Sequence, residues 1–146
     1  MQEDKYGMTM SPQEIIQRSG KWRELGVSWK EFYAAISTML DTKKFRMMRS
    51  QNTLCLFEIK QPQVATFQIL SAEDPKILPA RLMDFIKAFE KADYKSLGYS
   101  TNAIYELQVL KKTGVQMNAR SIKGDDGGTT YQVEIILNQE REPNAA

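Results

Sequence analysis

The stretch VATFQILSAEDPKILPARLMDFIKAF, Val64 to Phe89, decides how this chain is read. Val64 to Leu70 predict a strand, SAEDPKILPA a loop, and Leu82, Phe85, Ile86 and Phe89 the apolar side of a helix from Arg81 to Ala92. A strand that feeds a helix through such a loop often holds a phosphate, because glycines let backbone N–H groups close on the anion at the helix N-terminus. This loop has no glycine, Pro75 and Pro79 carry no N–H, and Glu73 and Asp74 bring negative charge to the place a phosphate would occupy. The expectation is a loop that binds no phosphate, with Asp74 as a turn or cap residue before Pro75.

Composition bounds the rest. The 146 residues are 42% hydrophobic and 26% charged, the profile of one ordinary globular domain. A single domain is expected over residues 11–138, between a flexible arm at 1–10 and a disordered tail at 139–146. No apolar run approaches the ~20 residues that span a bilayer, and MQEDKYGMTM lacks the features of a signal peptide. The expected setting is a cytoplasm or a particle assembled in one, with no membrane contact. Cys55 is the one cysteine and histidine is absent, which excludes intrachain disulfides, thiolate-rich zinc sites, and Ser-His or Cys-His catalysis. A net charge of +2 does not by itself suggest nucleic-acid binding.

Working outward, Ser11, Pro12 and Glu14 predict a capped helix that Gly20 and Gly26 break into short pieces. Ser28 and Glu31 form a second capping box, before a helix with Trp29, Phe32, Tyr33, Ile36, Met39 and Leu40 at helical spacing. FRMMRS, the turn at Gln51 and Asn52, TLCLFEIK and VATFQIL predict a meander of three strands. The middle strand is apolar on both faces and is expected to be central. After the helix come a strand in YKSLGYS and a helix over Ala103–Thr113, with Thr101 and Asn102 as cap candidates and Gly114 closing it. VQMNARSI and TTYQVEIIL then form a hairpin around KGDDGG.

This order of elements resembles that of the GNAT N-acetyltransferase superfamily. The most specific part is YKSLGYS followed by STNAIYELQVLKKTGVQMNARS, where a helix ends in Lys-Lys-Thr-Gly and passes straight into a strand. The resemblance covers most of the chain from Ser11 to Leu137. It implies an α+β fold of three layers, a mostly antiparallel twisted mixed sheet flanked by helices. The departures are specific. The family's pyrophosphate loop (Arg or Gln, two residues, Gly, any residue, Gly or Ala) is absent from SAEDPKILPA. Leu110 stands where active members commonly carry a general-acid tyrosine, and Asn102 is one residue out of register. A shell without its coenzyme loop is also similar to internal and head-assembly proteins of short-tailed phages, whose FLKTIG-like pattern is close to VLKKTG at Val109–Gly114.

These resemblances imply a catalytically inactive structural protein, without cofactor, that binds a larger phage assembly such as capsid, portal or internal virion proteins. The alternative is a divergent acetyl-CoA-dependent N-acetyltransferase. Its coenzyme would lie along Leu70, Ser71 and Ala72 with Lys76, with Glu58 as base and Tyr99 or Tyr105 as acid. Glu58, like Glu73, is otherwise expected as a solvated carboxylate. A second alternative is a small nucleic-acid binder using Lys43, Lys44, Arg46 and Arg49, which are also candidates for contact with an acidic partner. Trp22, flanked by Lys21 and Arg23, is a candidate surface anchor, whereas Trp29 and Cys55 are expected in the core. No metal site is expected, since KGDDGG lacks the length and final glutamate of a calcium loop.

Overall fold

The structure, a computed structural model, describes residues 10–101 and 103–138. The expected arm, apart from Met10, the expected tail, and Asn102 lie outside the described residues.

Two short helices, α1 (Pro12–Ser19) and α2 (Lys21–Glu24), meet at Gly20, whose φ of 72° is the left-handed conformation that ends α1. The Ser11 hydroxyl accepts the Glu14 N–H at 3.1 Å, but the Glu14 carboxylate pairs with Arg18 one turn on, so only half of the expected capping box forms. At α3 (Trp29–Asp41) the box is complete: Ser28 Oγ accepts from Glu31 N, and Glu31 Oε1 accepts from Ser28 N. Trp29 departs from expectation. It sits at the first turn of α3, half-buried and outside both apolar clusters, with the Lys30 ammonium 6.0 Å from its ring centre.

The meander follows as β1 (Phe45–Ser50), β2 (Thr53–Gln61) and β3 (Val64–Ser71). Every residue of β2 from Thr53 to Glu58 is buried, as the two-sided apolar pattern predicts. A 3-10 turn at Pro75–Ile77 leads into α4 (Leu78–Lys91), which starts three residues earlier than the apolar spacing indicates. Pro79 lies in the first turn of that helix, where a missing N–H costs no intrahelical bond, so it opens the helix and does not belong to the loop. Asp74 caps the 3-10 turn as expected, accepting the Lys76 N–H at 2.9 Å. The chain closes with β4 (Ser96–Thr101), α5 (Ile104–Lys112), β5 (Gln116–Lys123) and β6 (Thr129–Ile136).

The six strands form one sheet in the order β1-β2-β3-β4-β6-β5, antiparallel except for the β3–β4 pair. Alternation sends Cys55, Phe57, Phe67, Ile69, Leu97, Tyr99, Val133 and Ile135 into a cluster with Leu82, Phe85 and Phe89 of α4 and Leu107 and Leu110 of α5. Leu54, Leu56 and Leu70 face the other way, onto Ile15, Ile16 and Ile36 of α1 and α3. The result is the expected three layers, α+β, with helices on both faces of a mostly antiparallel sheet. On the second face α1 and α3 cover only the half made by β1–β3. Ser100, Asn118, Arg120 and Glu134 on the remaining strands stay exposed.

Candidate active site at a fork between two parallel strands

β3 and β4 pair in parallel at Val64–Ser96, Ala65–Leu97 and Thr66–Gly98, and no described residue beyond that rung continues the pairing. The two strands therefore part. Peptide groups along a strand point alternately to its two neighbours, and two bonds fix the phase in β3. Lys95 N and Ser96 N donate to Gln63 O on the β4 side, while Ala72 N donates to Asn52 O on the β2 side. Odd-numbered peptide groups thus face β4, and those of Ile69 and Ser71 point into the fork. On the α4/α5 face the fork is closed by Phe67 stacked on Tyr99, ring centres 4.9 Å apart.

The last shared rung belongs to a row that crosses all six strands. Phe45, Glu58, Thr66, Gly98, Glu134 and Asn118 are successive partners, so their side chains share one face. Gly98 leaves the middle of this row without a side chain. Above it lies a cavity of about 800 Å³, walled by Phe32, Ile36 and Met39 of α3 and floored by Thr66, Gln68, Ser100, Gln132 and Glu134. The fork thus opens beneath a trough with an apolar wall and a polar floor.

Glu58 is not the solvated carboxylate expected from its type. It is 8% exposed, and Lys44 and Lys60 each reach it at 3.1 Å. The Lys60 contact, then that of Lys44, holds its acid below the usual carboxylate range. A carboxylate so neutralised is a weak base, although it does line the cavity. Tyr99 is buried and donates to Glu106 Oε1 at 2.5 Å. Burial first, and then the Glu106 charge, push its hydroxyl above the ordinary tyrosine range, away from use as an acid. Tyr105 lies 46% exposed at the start of α5, its hydroxyl donating to Pro75 O at 3.1 Å. Leu110, at the place of the family tyrosine, is fully buried in the core.

The proposed coenzyme residues divide. Ser71 presents its peptide group to the fork, whereas those of Leu70 and Ala72 face β2 and the Ala72 N–H is already used. The Leu70 side chain belongs to the α1/α3 cluster. The Ser71 hydroxyl is 2.7 Å from Thr53 Oγ1 and accepts the Glu73 N–H at 3.0 Å. The backbone donors of the loop are also engaged: Lys76 N with Asp74 Oδ1, Ile77 N with Asp74 O, and Leu78 N with Pro75 O. Glu73 differs from expectation, since Arg81 grips both its oxygens at 2.8 Å and Thr53 donates to it at 2.6 Å. That guanidinium keeps the Glu73 acid below its usual range and offsets the negative charge of the loop. A coenzyme's diphosphate accordingly does not find a backbone cradle in this loop: the N–H groups of Glu73, Lys76, Ile77 and Leu78 are spent, Arg81 is paired, and the Tyr105–Pro75 bond ties α5 to the loop. The fork itself keeps free strand edge for an extended arm.

The basic stretch does not form one patch. Lys43 lies in a left-handed turn, φ 65°, and Lys44 is tied to Glu58. Arg46 pairs opposite Phe57 and Arg49 opposite Leu54, so they project from opposite faces. Arg49 also binds Gln51 O and Asn52 Oδ1. The Trp22 indole N–H donates to Gln17 O at 2.9 Å, and Arg23 lies 4.7 Å from its ring centre, so this ring is used locally. Cys55 is buried, and burial raises its thiol acid far above the usual range, as a core residue requires. In KGDDGG, Asp126 accepts the Gly128 N–H, and no metal-binding group of acids or cysteine occurs among the described residues.

No protein-family model matches the sequence, and no curated protein does either. Solved structures do match in shape. A Bacillus subtilis acetyltransferase in complex with CoA aligns at TM-score 0.53 and 12% identity, over 71% of this chain and 83% of that one. A spermidine N-acetyltransferase from Vibrio cholerae aligns at 0.57 and 8%, over 82% and 80%. The Escherichia coli ribosomal-protein-S18-alanine N-acetyltransferase aligns at 0.53 and 15%, over 79% and 81%. The chain has the GNAT fold. The expectation of a catalytically inactive assembly protein of a phage particle is corrected by these matches: the structures that share the fold are acetyltransferases, one of them solved with CoA, and nothing in them supports a virion role. Among the described residues no helix is long and apolar enough to cross a membrane.

Proposed function

We propose that the chain is a divergent N-acyltransferase that moves an acyl group from a pantetheine thioester, such as acetyl-CoA, to an amine. The observation that carries this is the fork: β3 and β4 part after Thr66–Gly98 and leave the peptide groups of Ile69 and Ser71 facing the gap, while the mouth of the fork, at Thr66, Gln68, Gly98 and Ser100, lines an 800 Å³ cavity. An extended amide-bearing arm suits such an edge, because it supplies the hydrogen bonds a neighbouring strand would have made. The cavity above receives the acceptor, with α3 excluding water from one side.

The donor is held by its arm and not by its phosphates. Each charge-assisted bond the loop withholds forgoes about 1.5–3 kcal/mol, so acetyl-CoA is expected to bind more weakly than a donor held by its phosphates. The chain supplies position and electrostatics: strand backbone for the donor, and the open floor at Thr66, Gly98 and Glu134 for the acceptor. The test is thiol release from acetyl-CoA in the presence of a panel of primary amines, with mass spectrometry of the amine. Amine-dependent thiol release with an acetylated product supports the proposal. No acetylated amine at millimolar donor overturns it.

A further inference from the structure

The trough above the fork holds two carboxylates with different surroundings, and the difference selects a substrate. Glu58 and Glu134 stand in the same transverse row, three strand spacings or about 14 Å apart, on either side of Thr66 and Gly98. Glu58 already holds two ammonium groups. Glu134 holds none: its Oε2 accepts the Ser96 hydroxyl at 3.0 Å, and no lysine or arginine among the described residues lies within ion-pair distance of it. The nearest diagonal cation on the sheet, Arg120, directs Nε and Nη2 to Gln132 Oε1. Among the described residues, Glu134 is therefore the cavity carboxylate with its charge available to a ligand. Phe32 and Met39 of α3 line the same cavity, and Phe45 stands at the far end of the row, beyond Glu58.

We infer that Glu134 is the acceptor-binding carboxylate, and that the acceptor is a primary amine borne on an apolar body, its ammonium on Glu134 and its hydrocarbon toward the α3 wall at Phe32 and Met39. This rests on the N-acyltransferase reading and names the substrate class for the same site. A charge-assisted hydrogen bond in a half-enclosed trough discriminates a cation from a neutral isostere, because the isostere leaves the carboxylate desolvated without compensation. Ser96 is a positioning residue: its hydroxyl orients Glu134 beside Gly98, where no side chain blocks approach to the fork.

The test uses the full chain without any thioester, so that it stands apart from the transfer assay. Binding of phenylethylamine, phenylethanol and phenylpropionate is followed by calorimetry for wild type, Glu134→Gln and Glu58→Gln. The expected result is saturable binding of the amine alone, weakened about tenfold or more in Glu134→Gln and less than about threefold in Glu58→Gln. Equal affinity of wild type and Glu134→Gln for the amine overturns the inference. So does tighter binding of the alcohol or the acid, or no amine binding at millimolar concentration. If the amine binds as expected and no acyl transfer is found, the carboxylate assignment stands and the N-acyltransferase reading falls.

Discussion

Thr66 and Gly98 face each other in the last rung that joins β3 to β4, and a Cβ at Gly98 would meet Thr66 Cγ2 at 3.1 Å. The fork opens where this close pair ends. Gly98→Ala forces the threonine methyl aside, with an expected loss of about 1 kcal/mol. Thr66→Ser removes that methyl, so the double variant recovers most of the loss. Chemical denaturation of the four proteins in the cycle measures the coupling, and additive losses would show that the contact is slack.

Glu73 and Arg81 make a two-pronged ion pair whose side chains are 14% and 17% exposed. The Glu73 acid is depressed, first by the Arg81 hydrogen bond, so the pair contributes stability above the ordinary carboxylate range and loses it as pH falls through the lowered value. Glu73→Gln should cost about 2 kcal/mol near neutral pH, and the gap to wild type should close under acid conditions. Released from Glu73, with the exposed Asp84 carboxylate 3.8 Å away as its remaining partner, Arg81 stands at the first turn of α4, where a diphosphate is favoured. The same variant is accordingly expected to bind acetyl-CoA more tightly while melting lower. A variant that melts lower and binds no better would separate Arg81 from the donor.

The Tyr105 hydroxyl spans to Pro75 O, and the Tyr99 hydroxyl donates to Glu106. Tyr105→Phe releases α5 from the loop at an exposed position, so stability should change by less than about 1 kcal/mol while acetyl-CoA binding becomes faster. Tyr99→Phe instead strips a partly buried carboxylate of its donor and should cost about 1–3 kcal/mol without altering the pH profile of turnover. Stopped-flow binding and rate measurements check both. A lost acidic or basic limb in the Tyr99→Phe profile would restore that tyrosine as a proton donor.

The first turn of α3 depends on Ser28, which accepts the Glu31 N–H while Glu31 returns the contact. Ser28→Ala should lower stability by about 1 kcal/mol, and Ser28→Asp should retain it, since either oxygen serves as the cap. Thermal melts at neutral pH distinguish the two. Because α3 walls the cavity through Phe32, Ile36 and Met39, acceptor affinity should fall with Ser28→Ala more than donor affinity.

Much of this fold was legible because its signals are local. The Ser28–Glu31 spacing, the alternation in TLCLFEIK and VATFQIL, and Gly114 at φ 78° each determine a few neighbouring residues. The site was less legible because it is made by register between distant strands. Glu134 reads as one polar residue in TTYQVEII until β6 is set beside β4, which places it opposite Gly98. The alternation there does mark it as facing away from Val133 and Ile135, but not that its face lacks a helix. Glu58 reads as solvated for the same reason, since Lys44 and the covering α3 are fixed by tertiary packing. Lys43, Lys44, Arg46 and Arg49 look like a cluster in one dimension, and strand alternation divides them. Tyr105 and Pro75 lie 30 residues apart, so no local pattern announces their bond.

The most direct measurement is an amide NMR titration of the chain with acetyl-CoA, followed at Ile69, Ser71 and Ser100. Saturable shifts concentrated at the Ile69 and Ser71 amides, with smaller changes along Lys76 and Ile77, are the expected result, because those two peptide groups face the fork and the loop donors are already engaged. Shifts absent from β3 and β4 at millimolar coenzyme, or confined to other surfaces, would contradict the assignment of the fork as the donor site.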